Sequence, residues 1–450
     1  IWIGMGSLAL ADLFWRWLHH RATVPVAMLL ALAVPILMGS EGWDDHDRSQ
    51  KYMARDMARN YLESCAPDAI LFTYIDNETF PLWYLQEVEG VRRDVRVINL
   101  SLLGMDWQVR QVKKKVNDSD ALPVTMEDRQ FVRGTRDVLY YHDYGIRDSV
   151  ELEKLLALLL SDNPSDQLEY TDGSRQNFLP TKRFRLTVNK QQVLDNHAVP
   201  EKWADRIVDT MEWTYSQNMV TRAELVLMDI LAHNQWKRPI YFANTVPASQ
   251  RLGLDDYLVS EGFAMRLMPV TAIAGDGGRR LVNTDATYEG VMHRYAWGNM
   301  NKAGYLDPTS YSMVAQSINV FTDTAEMLIV EGNARAAREV VNRAVEVLPE
   351  RIHELNIAAH YPALADQLYS VGETGKANEL LERNVAFLDE QLGYHAAIAE
   401  TKPDVDGGVI RDSLLVLQQF AAVAEAHGQA QQRGVAMSLF DRYHGLFFGS

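Results

Sequence analysis

Residues 22 to 39 (ATVPVAMLLALAVPILMG) form an apolar run without a charge, after which apolar stretches alternate with polar turns to the end of the chain. As a helix this run would extend about 27 Å, close to the hydrocarbon thickness of a bilayer, and it predicts one membrane span. The preceding residues, IWIGMGSLALADLFW, are almost wholly apolar to Ala11 and predict the remainder of an earlier span. The connector RWLHHR carries Arg16 and Arg21, whereas the far flank SEGWDDHD is acidic. Because basic short loops stay on the cytoplasmic side, the pattern predicts that everything after about Ser40 lies outside it. The chain starts at Ile1 with no charged signal-peptide start, which reads as a cut protein.

Beyond the apolar end the periodicities change. AILFTYI (69 to 75) and VRVINLSLL (95 to 103) are short runs rich in β-branched residues and predict buried strands. Between them, FPLWYLQEVEG has helical spacing, with Thr79 as predicted N-cap, Pro81 just inside and Gly90 closing the element. Strand, helix and strand at this spacing predict a βαβ crossover in a parallel sheet. RFRLTV (183 to 188), RPIYFANTV and FAMRLMPV (263 to 270) complete a predicted sheet of about five strands, with AELVLMDILAHN as the helix before the RPIYF strand. The polar, turn-rich region 116 to 180 around VELEKLLALLL reads as an insertion covering one edge or mouth of that sheet. The loop AGDGGRR (274 to 280) lacks the strand-to-helix context of a phosphate cradle and reads as a turn.

From about residue 309 only helical patterns remain, and they repeat. Phe321, Ala325, Leu328, Gly332, Ala337 and Val341 recur forty residues later as Tyr361, Ala365, Leu368, Gly372, Ala377 and Leu381. Small residues where two helices meet, a glycine at the turn and Pro349 after the second helix resemble the tetratricopeptide pattern, with a looser third unit near the end. The predicted organisation is therefore transmembrane segments at 1–39, an extracytoplasmic α/β domain of parallel or mixed βαβ three-layer type at 40–308, and an all-α helical-repeat domain at 309–450.

Composition narrows the chemistry. The chain of 450 residues is 47% hydrophobic and carries a formal charge of -16, which would repel a phosphate backbone and argues against nucleic acid as a partner. Cys65 is the single cysteine, which excludes an intrachain disulfide and a thiolate zinc cluster. No G-x-S-x-G elbow, H-E-x-x-H pair, Walker loop or dinucleotide fingerprint is present, which removes the usual hydrolase, zincin, NTPase and dehydrogenase classes.

Four candidate sites remain. Ligands of open α/β sheets bind beyond the carboxyl ends of strands, so the loop after the first strand, Asp76, Asn77, Glu78 and Thr79, is the leading one. Its side chains could accept sugar hydroxyls or hold a divalent cation, or could serve as an Asx-turn and helix cap. Asp44, Asp45, His46 and Asp47 crowd carboxylates around an imidazole, the donor set of a divalent-ion site, or form an acidic loop beside the membrane. His142 with Asp143 has the composition of an acid/base couple. Arg238, next to Trp236 and Lys237, could clamp an anion or pair with a carboxylate at the sheet end.

Several long strings also occur together and in order: IWIGMGSLAL, WDDHDRSQKYMARDMARNYLESC, AILFTYIDNETFPLWYLQEVEGVRRDVRVINLSLLGMDW, WKRPIYFANTV, LGLDDYLVSEGFAMRLMPV and YAWGNMN. From residue 1 to about 310 they resemble the C-terminal portion of a bacterial, multi-spanning, protein O-mannosyltransferase-like family. The resemblance implies an enzyme that uses a lipid-linked sugar donor, with its catalytic acidic residue in an early loop that this chain does not include. It places the chain in the inner membrane with its soluble domains in the periplasm. That family usually reads Gly-Asp-Asn-Asp-Thr-Phe-Pro where this chain has Ile75 to Pro81, so Ile75 replaces the glycine and Glu78 the second aspartate.

The leading expectation is the C-terminal part of such a glycosyltransferase, binding or positioning an acceptor protein or glycan and lacking the catalytic residue. One alternative is a non-catalytic envelope assembly protein that docks a partner on its repeats. Another is a sugar-processing or sugar-binding α/β domain that uses Asp76 and Glu78.

Overall fold

In the computed structural model, which describes residues 2–18, 23–49, 51–271, 273–274, 279–302, 306–350, 354–399 and 407–449, the apolar N-terminal sequence forms two helices. These are α1 (Trp2–Leu18) and α2 (Thr23–Glu41). Among the described residues no helix is long and apolar enough to cross a membrane, which overturns the transmembrane segments expected at 1–39. In α1, 17 residues long, the Asp12 carboxylate pairs with Arg16 at 2.7 Å within the helix itself. The 19 residues of α2 end in Ser40 and Glu41 and contain Pro35, so that its apolar part is at the short limit of the roughly 17 to 25 residues of a span. A third, one-turn helix, α3 (Trp43–His46), follows. Residues 19–22 of the basic connector and 275–278 of the glycine-rich loop lie outside the described residues.

The chain forms two units, residues 1–51 with 302–307 and residues 52–301 with 308–450. The second is built on a five-stranded sheet. Helix α4 (Met53–Ser64) leads into β1 (Ile70–Thr73), α5 (Asp76–Glu87) and β2 (Arg96–Asn99). β1 and β2 are parallel, pairing Ile70 with Arg96 through Thr73 with Asn99. All four residues of each strand are buried, as expected where helices cover a parallel sheet.

The strand expected at 183 to 188 forms, but not in the central sheet where the sequence reading placed it. β4 (Arg183–Thr187) lies in a separate three-stranded sheet, between β3 (Val150–Glu151) and the antiparallel β5 (Thr210–Thr214). The region 116 to 180 thus contributes β3 and the following α6 (Leu152–Leu159), whose Leu152, Leu155, Leu156 and Leu159 are buried.

Helix α7 (Arg222–His233) returns the chain to the central sheet and starts in a capping box, in which the Thr221 amide donates to the Glu224 carboxylate at 2.8 Å. β6 (Ile240–Ala243) then runs parallel to β1 on its other side. β7 (Leu258–Glu261) and β8 (Ala264–Leu267) complete the order β7-β8-β6-β1-β2, with both added strands antiparallel to their neighbours. The sheet is therefore mixed and small, one of several small sheets in a protein that is about 59% helical, which corrects the three-layer α/β class expected from the sequence.

Six long helices follow in three pairs: α8 (Pro308–Val330) with α9 (Ala334–Val347), α10 (Tyr361–Ser370) with α11 (Thr374–Ala399), and α12 (Gly407–Ala426) with α13 (Ala430–Phe448). Each pair is joined by a Schellman turn. The amides of Asn333, Glu373 and Gln429 donate to the carbonyls of Leu328, Leu368 and Ala424 at 2.8, 2.8 and 2.7 Å. Gly332, Gly372 and Gly428 supply the left-handed residue, with φ of +81°, +83° and +68°. The ten non-glycine positions of the forty-residue correspondence are all buried. The helical pairs dock on the α/β region: Trp297 stacks on Phe321 with centroids 4.7 Å apart, and Thr284 donates to Glu331 at 2.7 Å.

Candidate functional site

The chain leaves β1 toward β2 on one side and leaves β6 toward β7, beyond β8, on the other, so the loops beyond the carboxyl ends of β1 and β6 diverge. Divergence of this kind opens a crevice in α/β sheets. A cleft of about 310 Å³ lies there, between α4, the start of α5, Thr245 beyond β6, and the first turns of α8. Its apolar walls include Met57, Ala58, Ile75, Pro81 and Met313, and its polar groups include Asn77, Glu78, Thr245, Tyr61 and Gln316. A mostly apolar concavity with a few converging polar groups is the usual construction of a small-ligand or peptide-segment site.

Glu78 is central to it. Ile75 is the extended residue before α5, and Glu78, three positions later, turns back on the freed amides. The Tyr74 amide donates to its Oε1 at 2.7 Å, the Ile75 amide donates to the same oxygen at 3.4 Å, and the Thr245 hydroxyl donates to Oε2. Glu78 is 7% exposed. Burial pushes its carboxyl above the ordinary value, against the pull of the two backbone hydrogen bonds. Tyr61 donates to Gln316 Oε1 at 2.5 Å, tying α4 to α8 across the cleft, and burial raises its phenol.

The other three residues of the loop have different roles. Helix α5 begins at Asp76, so Thr79 is inside the helix instead of capping it. Thr79 is fully buried and joins three elements: it lies 2.8 Å from the Thr73 hydroxyl, donates to the Ile75 carbonyl at 2.8 Å and accepts from Asn99 at 3.0 Å. Asn77 lines the cleft, whereas Asp76 is exposed in the first turn and does not line it. The pairing of Asp76 with Glu78 as two catalytic carboxylates is not formed in the cleft.

The remaining sequence candidates are apart from this site. Asp44, Asp45 and His46 fall on α3 and Asp47 just after it, in the first unit. The His46 ring contacts the Gly42 carbonyl at 2.8 Å, and the Ser49 amide donates to Asp47 at 2.9 Å, which lowers that carboxyl. Among the described residues no group of three or more His, Cys, Asp or Glu side chains could hold a metal ion. His142 packs edge-on against Phe178, and Asp143 accepts from the Gly145 amide at 2.8 Å in an Asx-turn.

Arg238 belongs to the opposite end of the sheet. It donates to the carbonyls of Asp68, Ala69 and Asp120 at 2.7, 3.3 and 3.0 Å and to the Ser119 hydroxyl at 2.8 Å. Arg96 joins it there, donating to the carbonyls of Lys114, Ser119 and Asp120 at 2.9, 2.8 and 2.9 Å. Burial, aided by the charge of Arg238, pulls the Arg96 guanidinium down to about 10.

The sequence matches the family described as TMEM260-associated domain 2 over residues 54–286, a little over half of the chain. The chain belongs to that family. No curated protein matches it. No solved structure matches it either. The TMEM260-associated domain 2 segment carries nearly all of α4, the whole central sheet, Glu78 and Thr245, while the cleft wall from α8 lies beyond it. Sequence reasoning missed Tyr61, Thr245 and Gln316. The signal for Thr245 was present, since it lies two residues beyond the end of an apolar strand, much as Asp76 lies three beyond β1. Tyr61 and Gln316 are separated by 255 positions, and no local pattern joins them.

Proposed function

We propose that this chain is the acceptor-binding part of a protein O-mannosyltransferase-like enzyme, in which it holds a hydroxyl-bearing segment of an acceptor protein and performs no chemistry itself. The observation that carries the reading is the cleft at the carboxyl ends of β1 and β6, apolar along its walls and polar at Glu78, Thr245 and the Tyr61–Gln316 pair. These groups suit an extended peptide that inserts an apolar side chain and offers hydroxyls to a carboxylate and an amide. Glu78 is already held by two amides and a hydroxyl, a binding arrangement rather than that of a free general base. The family's description as a domain associated with TMEM260 is in keeping with an accessory role.

The test is calorimetric titration of the chain with serine- and threonine-rich peptides. Ala54 is exposed at the mouth of the cleft, so Ala54→Trp fills it without disturbing the core. The expected result is peptide binding that Ala54→Trp abolishes while thermal unfolding is unchanged. Peptide binding insensitive to Ala54→Trp, or no peptide binding at all, refutes the reading.

A further inference from the structure

We propose that a second site, a groove beside β2, binds a neutral oligosaccharide. The groove has a volume of about 380 Å³ and is lined on α5 by Trp83 and on the helix Asp106–Val112 by Trp107 and Gln108. Trp107 is 51% exposed, and Trp83 is half-buried. Indole rings offer broad apolar faces, and a pyranose offers apolar C–H faces ringed by hydroxyls, so two tryptophans along one groove match two surfaces of a sugar chain.

The polar part of the groove points to the same ligand. Gln108 is 3% exposed, yet its Oε1 is buried without a hydrogen-bond partner. A buried acceptor left unpaired costs about 1–3 kcal/mol, and a ligand hydroxyl would supply the missing donor. At the rim, Arg93 donates to Asn117 at 2.7 Å and Asn117 donates to Glu87 at 2.6 Å. This chain balances one cation against one anion and fixes the amide between them, which favours a neutral ligand with hydroxyls over a phosphate or a carboxylate. Arg96, at the groove's floor, is engaged with carbonyls and adds no free anion site.

The experiment is calorimetric titration of the full chain with a panel of glucose-, galactose- and mannose-based trisaccharides at millimolar concentration, with inorganic phosphate as the anionic probe. At least one trisaccharide binds, phosphate does not, and Trp107→Ala weakens the binding by about tenfold or more. Gln108→Met, close in shape and without the acceptor, also weakens it, with the folded state of each variant checked by thermal unfolding. Failure of every trisaccharide to bind overturns the proposal. So does binding that neither Trp107→Ala nor Gln108→Met alters, or a groove that takes up phosphate instead.

Discussion

At the amino-terminal end of β1, Arg238 and Arg96 direct their guanidinium groups at the carbonyls of residues 68–69 and 114–120, so that this end of the strand is covered by the protein itself. At the carboxyl end of the same strand, Glu78 also contacts backbone amides, but the diverging loops around it leave a 310 Å³ cleft. Both ends offered candidate residues in the sequence, with the 76–79 loop ranked first. What separates them is whether the chain passes back over the strand ends, as residues 114–120 do at one end, or turns away in both directions, as it does after β1 and β6. Charged residues at a sheet end become available to a ligand only in the second case.

The largest expected effect breaks the closed end. Arg96→Met keeps the apolar stem but takes the charged donor from three carbonyls, of which Ser119 keeps the Val116 amide and Asp120 keeps Arg238 while Lys114 loses its donor, and should destabilise the protein by about 3 kcal/mol. Urea unfolding measures it, and peptide binding in the cleft should persist under native conditions. A loss below ~1 kcal/mol would mean that water reaches those carbonyls and that the end is open after all.

Next comes Thr79→Val, which preserves shape and removes the hydroxyl shared by Thr73, Ile75 and Asn99. Leaving the buried Asn99 amide without its acceptor should cost about 2 kcal/mol in the same assay. If Thr79 instead served a ligand, the variant would lose binding and keep its stability.

Glu78 sharpens the comparison through pH. Burial raises its folded-state pKa above the ordinary 4.5, so between the two values the folded protein binds the proton more tightly than the unfolded one. Glu78 therefore contributes stability that is fully present below about pH 4.5 and is lost as pH rises through the folded value. Glu78→Gln should remove that segment of the stability–pH curve, measured by urea unfolding between acid and neutral pH. A curve that is parallel to the parent's would show the carboxyl to be solvated.

Much of this was readable in advance, and the unread part has a common cause. The apolar runs at 70–73 and 96–99 with the helical spacing between them locate the β1–α5–β2 unit, because burial on both faces leaves a continuous apolar strand. Gly332 and Gly372 mark turns because only a residue without a Cβ adopts their backbone angles cheaply. Hydropathy, in contrast, overstated α1 and α2, since apolar character dominates both runs although α1 carries Asp12 and Arg16 within its length and α2 ends in Ser40 and Glu41. The alternation at 183–187 likewise identifies a strand, but its place in the central sheet was a misreading, because its sheet is set by pairing with 210–214. The cleft needed Tyr61, Glu78, Thr245 and Gln316 together, and such long-range meetings follow from the fold and not from any window of sequence.

The smallest expected effect concerns the residue that the sequence ranked beside Glu78. Asp76 is exposed in the first turn of α5, where its charge faces the unpaired amides of the helix start. Asp76→Asn should therefore lower stability by only about 0.5 kcal/mol, an effect that shrinks with added salt because the interaction is exposed. Peptide binding should be untouched, because the side chain is outside the cleft. The two carboxylates are two positions apart, yet only the one folded inward meets Thr245, so Asp76→Asn and Glu78→Gln compared in one titration separate helix-end electrostatics from ligand contact. Equal losses of binding in the two variants would place both carboxylates at the ligand and return the loop to the paired-carboxylate reading.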